Sequence, residues 1–246
     1  MALTPANTGN GNGTGTTLVE FNTVLGFFVL VSDKSKITSI AACFGDSWKK
    51  GFTGSAGLTA AARAKCVEQG VFLGKAIPGK LESLRYDEGT DGRNIYRKVR
   101  VTLSDDGARY TLTLPLDGEA ASRLIPKLAS TAVGTTINVG IWMAMSDTKA
   151  DGNRYANVGV SVKSEDIEIP SSFIVIDGLK SAENEVRVKT EGVLEGADLR
   201  SAITRAKEKS LQEFLQKLSN DAPVSAAAAD ASASVAATAN SDDVGY

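Results

Sequence analysis

Between residues 94 and 103 apolar and polar side chains alternate: Ile95, Val99, Val101 and Leu103 fall on one parity, Tyr96, Lys98, Arg100 and Thr102 on the other. A period of two is that of a half-buried strand, with one set packed inward and the other presented to solvent. Ser104-Asp105-Asp106-Gly107 follows, and its Asp-Gly pair is a strong hairpin signal. Over residues 108–114 Tyr110, Leu112 and Leu114 then alternate with Arg109, Thr111 and Thr113, so the predicted hairpin has one apolar face and one cationic, polar face. Pro115 ends the strand and Asp117 is placed to cap a short helix over residues 119–129. That helix carries Ala120, Leu124 and Leu128 on one side, and Pro126 should shorten or bend it.

A second hairpin is predicted from residues 135–145, with Ile137, Val139, Ile141, Met143 and Met145 inward, and residues 153–162, with Val158, Val160 and Val162 inward. Its outer face carries Trp142 and Tyr155, which sit opposite each other if the turn centres on Thr148-Lys149. Residues 80–86 supply a strand ahead of all these, joined on by the glycine-rich, charged loop 87–93. The order is therefore three strands, a helix and two strands. This is the order of a five-stranded oligonucleotide-binding (OB) barrel, whose ligands lie on the second and third strands and in the loops joining strands one to two and four to five. The expected fold class is mainly β (α+β), with an OB-like antiparallel barrel over residues 80–163, an N-terminal β/α elaboration and a closing helix over residues 197–218. The regions that bind in such a barrel contain Arg93, Tyr96, Lys98, Arg100, Arg109, Lys149 and Arg154.

The flanking segments extend this picture. Residues 1–17 are Gly, Asn and Thr with almost no apolar content and read as a disordered leader. Residues 18–31 predict one or two strands, with residues 29–31 buried. The segment 44–52 is a glycine-punctuated loop with Phe44, Trp48 and Phe52 beside Lys49 and Lys50. It is open to two readings: a stacking platform with adjacent charge, or a plug in which Trp48 and Phe52 close the end of the barrel. Residues 55–69 predict a helix capped by Ser55, with Leu58, Ala62 and Cys66 along one side. Gly74 to Lys80 matches the start of a phosphate-binding loop, but Leu81 follows where a hydroxyl is needed, and a strand follows where a helix is needed. Residues 167–176 and 185–189 are expected to add strands. The long helix spaces Leu199, Ile203, Ala206, Ser210, Phe214 and Leu218 for one face, which serves either its own domain or a partner. Residues 18–218 thus form a single domain, and residues 219–246 are expected to be a disordered Ala/Ser-rich linker with an acidic end.

Composition narrows the chemistry. The chain of 246 residues contains no histidine and two cysteines, so it has no His-based triad, no His-ligated metal and no Cys-rich zinc site. It reads as a non-enzymatic protein without a cofactor, its cysteines reduced. The longest apolar run, residues 24–31, is too short to span a membrane and is interrupted by Gly26. The N-terminus has no secretory pattern. Net charge is −2, yet the last 28 residues carry four aspartates and no Lys or Arg, which leaves the body with 27 basic against 25 acidic side chains. An acidic total is therefore compatible with a nucleic-acid partner.

The inferred strand order with Tyr96, Lys98 and Arg100, followed by the Ala-rich linker and the terminal Asp242-Asp243-Val244-Gly245-Tyr246, resembles the bacteriophage single-stranded-DNA-binding proteins. It is also similar to the Drc-type phage cofactors that bind single strands and help a phage RNA polymerase engage promoters. The resemblance covers residues 80–163 and the tail. It implies a sequence-tolerant single-stranded-DNA binder in the host cytoplasm, acting in phage replication, in transcription, or in both. Cations would track phosphates while Tyr96, Trp142, Tyr155 and Trp48 stack on bases. Asp242, Asp243 and Tyr246 would recruit a phage RNA polymerase or replication proteins, with homo-oligomerisation left open. The alternatives from other classes are a phage structural or assembly protein and a carbohydrate-binding barrel using Trp142 and Tyr155.

Overall fold

In a computed structural model, the described residues are 15–52, 55–92, 94–145 and 156–221. They form a mixed α/β body of eight strands and six α-helices. Arg93, Lys149, Arg154, Tyr155, Asp242, Asp243 and Tyr246 lie outside the described residues, as do the Thr148-Lys149 turn and almost all of the leader and tail. The strands are β1 (Thr16–Asn22), β2 (Phe27–Leu30), β3 (Ala76–Asp91), β4 (Asn94–Asp105), β5 (Ala108–Pro115), β6 (Thr136–Met145), β7 (Ala156–Ser164) and β8 (Ile167–Glu168). The helices are α1 (Lys34–Phe44), α2 (Asp46–Lys49), α3 (Ala56–Glu68), α4 (Glu119–Leu128), α5 (Phe173–Lys189) and α6 (Gly196–Asp221).

The strands make one sheet in the order β2-β1-β5-β4-β3-β6-β7-β8. The hairpin of β4 and β5 turns on Asp106 and Gly107 with φ of 43° and 81°, the left-handed pair that an Asp-Gly turn supplies. The sheet is eight-stranded and mixed where a five-stranded antiparallel barrel is expected, and the described strands leave it open. Among the described residues no ladder joins β5 to β7, and β1 takes the free edge of β5 in parallel, with Thr16 against Arg109 and Glu20 against Thr113. Thr16 and Thr17, expected in the leader, belong to that pairing. β2 is tied back to the approach to β3 by one bridge, in which Phe28 N–H donates to Gly74 O at 2.8 Å and Gly74 N–H donates to Phe28 O at 2.9 Å.

β3 is the strand that serves two neighbours. Its first part pairs with β6 and its longer second part with β4, with a register shift between Leu81 and Ser83 where it changes partner. Gly79 lies at this crossing, where a Cβ would stand 3.0 Å from Ser104 O and 3.1 Å from Leu103 Cβ, so only glycine lets the backbones pass.

The inner face buries Ile77, Leu81 and Leu84 of β3, Val99, Val101 and Leu103 of β4, and Tyr110, Leu112 and Leu114 of β5. β6 adds Ile137, Val139 and Ile141, and β7 adds Val158 and Val162. Helix α4 covers this core with Ala121, Leu124, Ile125 and Leu128, and its cap position is Gly118 rather than Asp117. The helix runs two residues past Pro126, whose carbonyl accepts the Ser172 N–H at 2.7 Å at the start of α5. Leu211 and Leu215 of α6 complete the core. Residues 173–189, expected in part as strands, are the helix α5, which pairs with α6 as a helical hairpin. Glu183 clasps the two, 2.8 Å from Arg187 and 2.5 Å from Lys207; those hydrogen bonds hold its carboxyl below the ordinary range.

A second, smaller core sits beyond β2, whose alternation sends Phe28 into the main core and Val29 into this one. It gathers Leu25, Ile37, Ile40, Phe52, Ala62, Cys66 and Val71 under α1 and α3. The Arg63 Nε of α3 donates to Leu25 O at 2.8 Å, and its guanidinium lies 4.5 Å from the centre of the Phe27 ring. Burial lowers its pKa. The pair of contacts ties α3 to the β1–β2 turn.

Tyr110 stands out in the main core. It is 3% exposed, and its hydroxyl has no hydrogen-bond partner among the described residues. A buried unpaired hydroxyl costs about 1–3 kcal/mol. Tyr110→Phe, which removes it and keeps the ring, should leave the melting temperature unchanged or raise it by a few degrees; a fall of that size would reveal a partner for the hydroxyl.

Candidate functional site

The outer face of β3, β4 and β5 is where the cationic parity emerges. Register and strand alternation set its side chains in rows: Tyr96 beside Gly89; Lys98 beside Asp87 and Pro115; Arg100 between Arg85 and Thr113; Thr102 between Ser83 and Thr111; Ser104 between Lys80 and Arg109. From Tyr96 to Ser104 the stripe is about 26 Å long at about 3.3 Å per residue. Arg85, which the sequence reading did not single out, stands directly across from Arg100, and only the pairing register brings them together. Like charges opposite each other repel, so the arrangement asks for an anion.

Part of that demand is met within the protein. Arg100 lies 2.8 Å from Asp87, and Arg109 lies 2.6 Å from Glu82. Lys98 Nζ is 5.8 Å from the centre of the Tyr96 ring. Arg85 makes no ion pair among the described residues. The middle of the face is more closed than its polarity suggests, because Thr102 and Thr111 are buried with their hydroxyls 3.4 Å apart.

Past Pro115 the β3–β4 pair continues without β5, as a two-stranded arm ending at Asp91 and Asn94. Tyr96 on it is 44% exposed, and Ile95, expected inside, is 54% exposed because the arm has outrun the core that its parity faces. On the inner side of the arm's base, Arg97 is held 3.3 Å from both Glu88 and Glu208 of α6, and Tyr86 donates to Glu88. This network raises the Arg97 pKa, chiefly through Glu208, and desolvation together with the Glu88 hydrogen bond pushes the Tyr86 hydroxyl up to about 12. The arm is therefore anchored to α6, and its outer face is left clear.

Trp142 is 45% exposed on the outer face of β6. Its cross-strand neighbour is Gly159, not Tyr155: the ladder runs four residues further along β7 than a turn centred on Thr148-Lys149 would give. A Cβ on Gly159 would fall 2.1 Å from Trp142 Cε2, so the indole lies flat across the bare glycine backbone, one ring face against the sheet and the other toward solvent. The expected Trp142–Tyr155 pair is accordingly replaced by a single ring over a glycine. Trp142 and Tyr96 also do not share a platform. β6 meets β3 only as far as Ala76 opposite Gly140, whereas Tyr96 faces Gly89, about 13 residues and on the order of 40 Å further along β3.

Gly159→Ala should displace the indole without removing it. The emission and near-ultraviolet dichroism of Trp142 should shift toward a more solvated ring, while the melting temperature changes by no more than a few degrees, since alanine suits a strand at least as well as glycine. An unchanged spectrum would mean that the ring does not rest there.

The aromatic segment near residue 48 has another role. Residues 46–49 form α2; Phe44, Trp48 and Phe52 pack edge-on or tilted with centroids 5.3–6.3 Å apart, and Phe52 is 5% exposed. These rings close the smaller core under α1 and α3, so of the two readings the plug holds, with its place changed from barrel end to helical layer. Phe52 is corrected from a stacking residue to a core residue. Lys49 reaches Asp46 at 3.2 Å, and Lys50 stands beside it, exposed.

Among the described residues no group of Asp, Glu and Cys could hold a metal ion, and no helix is long and apolar enough to cross a membrane. Compared with protein-family models, curated proteins and solved structures, the chain matches none of them.

Proposed function

We propose that this chain binds single-stranded DNA with little sequence preference, laying the strand along the outer face of β3, β4 and β5. The observation that carries this reading is the row structure of that face: Tyr96 at one end, then Lys98, the facing Arg85 and Arg100, and Arg109 with Lys80 at the other. Cations spaced along a groove follow a phosphate backbone whatever its bases, and an exposed ring at the end accepts any base by stacking. Direct readout of duplex DNA would call instead for an element shaped to enter its major groove.

The body is a variant of the OB arrangement in this reading. The order β5-β4-β3-β6-β7, with α4 between β5 and β6, matches the five strands and helix of such a barrel, and its ligand face is the one just described. Closing a barrel of that order requires its end strands to pair; here β1 occupies the edge of β5 instead, and a single bridge ties β2 to Gly74, ahead of β3. Trp142 is a second stacking position, apart from the stripe, and recruitment of replication or transcription proteins through Asp242, Asp243 and Tyr246 belongs to the same proposal.

Anisotropy titration of labelled single strands, duplex and oligosaccharide over a salt series tests the reading. Single strands should be preferred, and the logarithm of affinity should fall linearly with that of salt, by about 0.7 per phosphate neutralised. Binding to oligosaccharide alone, or no salt-dependent preference for single strands, would remove it.

A further inference from the structure

The cationic face carries its own anions. Asp87 lies directly opposite Lys98, two residues along β3 from Arg85, and 2.8 Å from Arg100, so one carboxylate stands among three cations. Glu82, in the irregular step of β3, lies 2.6 Å from Arg109 and two residues from Lys80. Both pairs are solvent-accessible: side-chain exposure is 45% and 34% for Arg100 and Asp87, and 54% and 29% for Arg109 and Glu82. Pairs at such exposure are weak and exchange readily. A phosphate offers a guanidinium the same two-pronged acceptor that a carboxylate does, so the two anions compete for one site.

We propose, resting on the single-strand reading, that Glu82 and Asp87 are internal phosphate substitutes that limit affinity and speed release. A strand settling on the stripe displaces Asp87 from Arg100 and Glu82 from Arg109, while Arg85, which has no carboxylate partner among the described residues, makes the first contact. On departure the carboxylates return and close the guanidiniums to rebinding. The face therefore grips less tightly than its five cations alone would, which suits a protein that covers single strands and must yield them.

The test is affinity and dissociation rate for a labelled oligothymidine, measured on the full chain and on Asp87→Asn, Glu82→Gln and the double variant. Each single change should tighten binding by up to about fivefold, the worth of an exposed ion pair, and the double on the order of tenfold. The gain should appear mainly as slower dissociation and shrink as salt rises. Glu213→Gln, the same charge change in the groove between α5 and α6, should leave affinity unchanged. Thr113→Glu, which sets a second carboxylate beside Arg100, should weaken binding by a similar factor and so guards against a neutral variant that fails to fold. If the full chain binds but neither neutral variant binds more tightly, or Glu213→Gln gains as much, the inference is overturned while the single-strand reading stands. If the full chain does not bind, both are lost.

Discussion

Replacing Arg85, Lys98 and Arg100 together by alanine should weaken single-strand binding on the order of 100-fold at low salt. The three side chains form two adjacent rows on the outer face, so a strand that touches one passes the others. A hydrogen bond to a charged group contributes about 1.5–3 kcal/mol, and exposure here reduces each to about 1 kcal/mol, so three give about 3 kcal/mol. The salt dependence should flatten by about 2 in logarithmic slope, at about 0.7 for each phosphate no longer neutralised, and the loss should be the same for every base composition. Circular dichroism should be unchanged, because none of the three is in the core. A variant that binds as before, or loses affinity with its salt slope intact, would show that the strand does not run on this face.

The largest stability effect is expected from Leu215→Ala. Leu215 is 0% exposed and, with Leu211, inserts α6 into the main core. Truncating a fully buried leucine costs about 2–5 kcal/mol, the upper end where the surroundings cannot collapse. A folded body of this size loses about 2–4 °C of melting temperature per kcal/mol, so a drop of about 5–15 °C follows. Glu208 of α6 also holds Arg97 at the base of the arm, so loosening α6 should increase proteolytic nicking at the arm. A melting temperature within two or three degrees of the parent's would mean that α6 is peripheral.

Much of the sheet could be read from local pattern because local pattern is what forms it. The alternation of Val99, Val101 and Leu103 against Tyr110, Leu112 and Leu114, with Asp106-Gly107 between them, specifies a hairpin and its inner face without reference to the rest of the chain. The parallel pairing of β1 with β5 brings together residues some 90 positions apart, and no periodicity encodes such a choice. Residues 174–176 and 186–188 are rich in β-branched side chains and look like strands. They are helical because α5 packs against α6 along the hairpin, and the i, i+4 pairs Glu183–Arg187 and Glu185–Lys189 support its C-terminal half. Residues 34–43 carry no reading from sequence, yet with Phe44, expected in a loop, they form α1 with Ile37 and Ile40 in the smaller core.

Candidate site residues divide in the same way. Tyr96, Lys98, Arg100 and Arg109 were legible because a strand's parity fixes the face that its side chains take. Arg85 was not, because its place opposite Arg100 depends on the register shift at Leu81 and Ser83. The partner of Trp142 was beyond reach for a related reason. Sliding β7 by four residues preserves every inward valine, so the hydrophobic pattern cannot distinguish Tyr155 from Gly159 as the neighbour. What distinguishes them is space, since only the glycine leaves room for an indole to lie flat.

Where a bound single strand lies is settled most directly by photo-crosslinking an oligonucleotide carrying a zero-length photoreactive base, and mapping the adducts by mass spectrometry. Adducts should concentrate on Tyr96 and its neighbours along β3, β4 and β5, with Trp142 forming a separate, weaker set that Gly159→Ala alters. Adducts confined to the helical hairpin of α5 and α6, or to the layer of α1 to α3, would contradict the account.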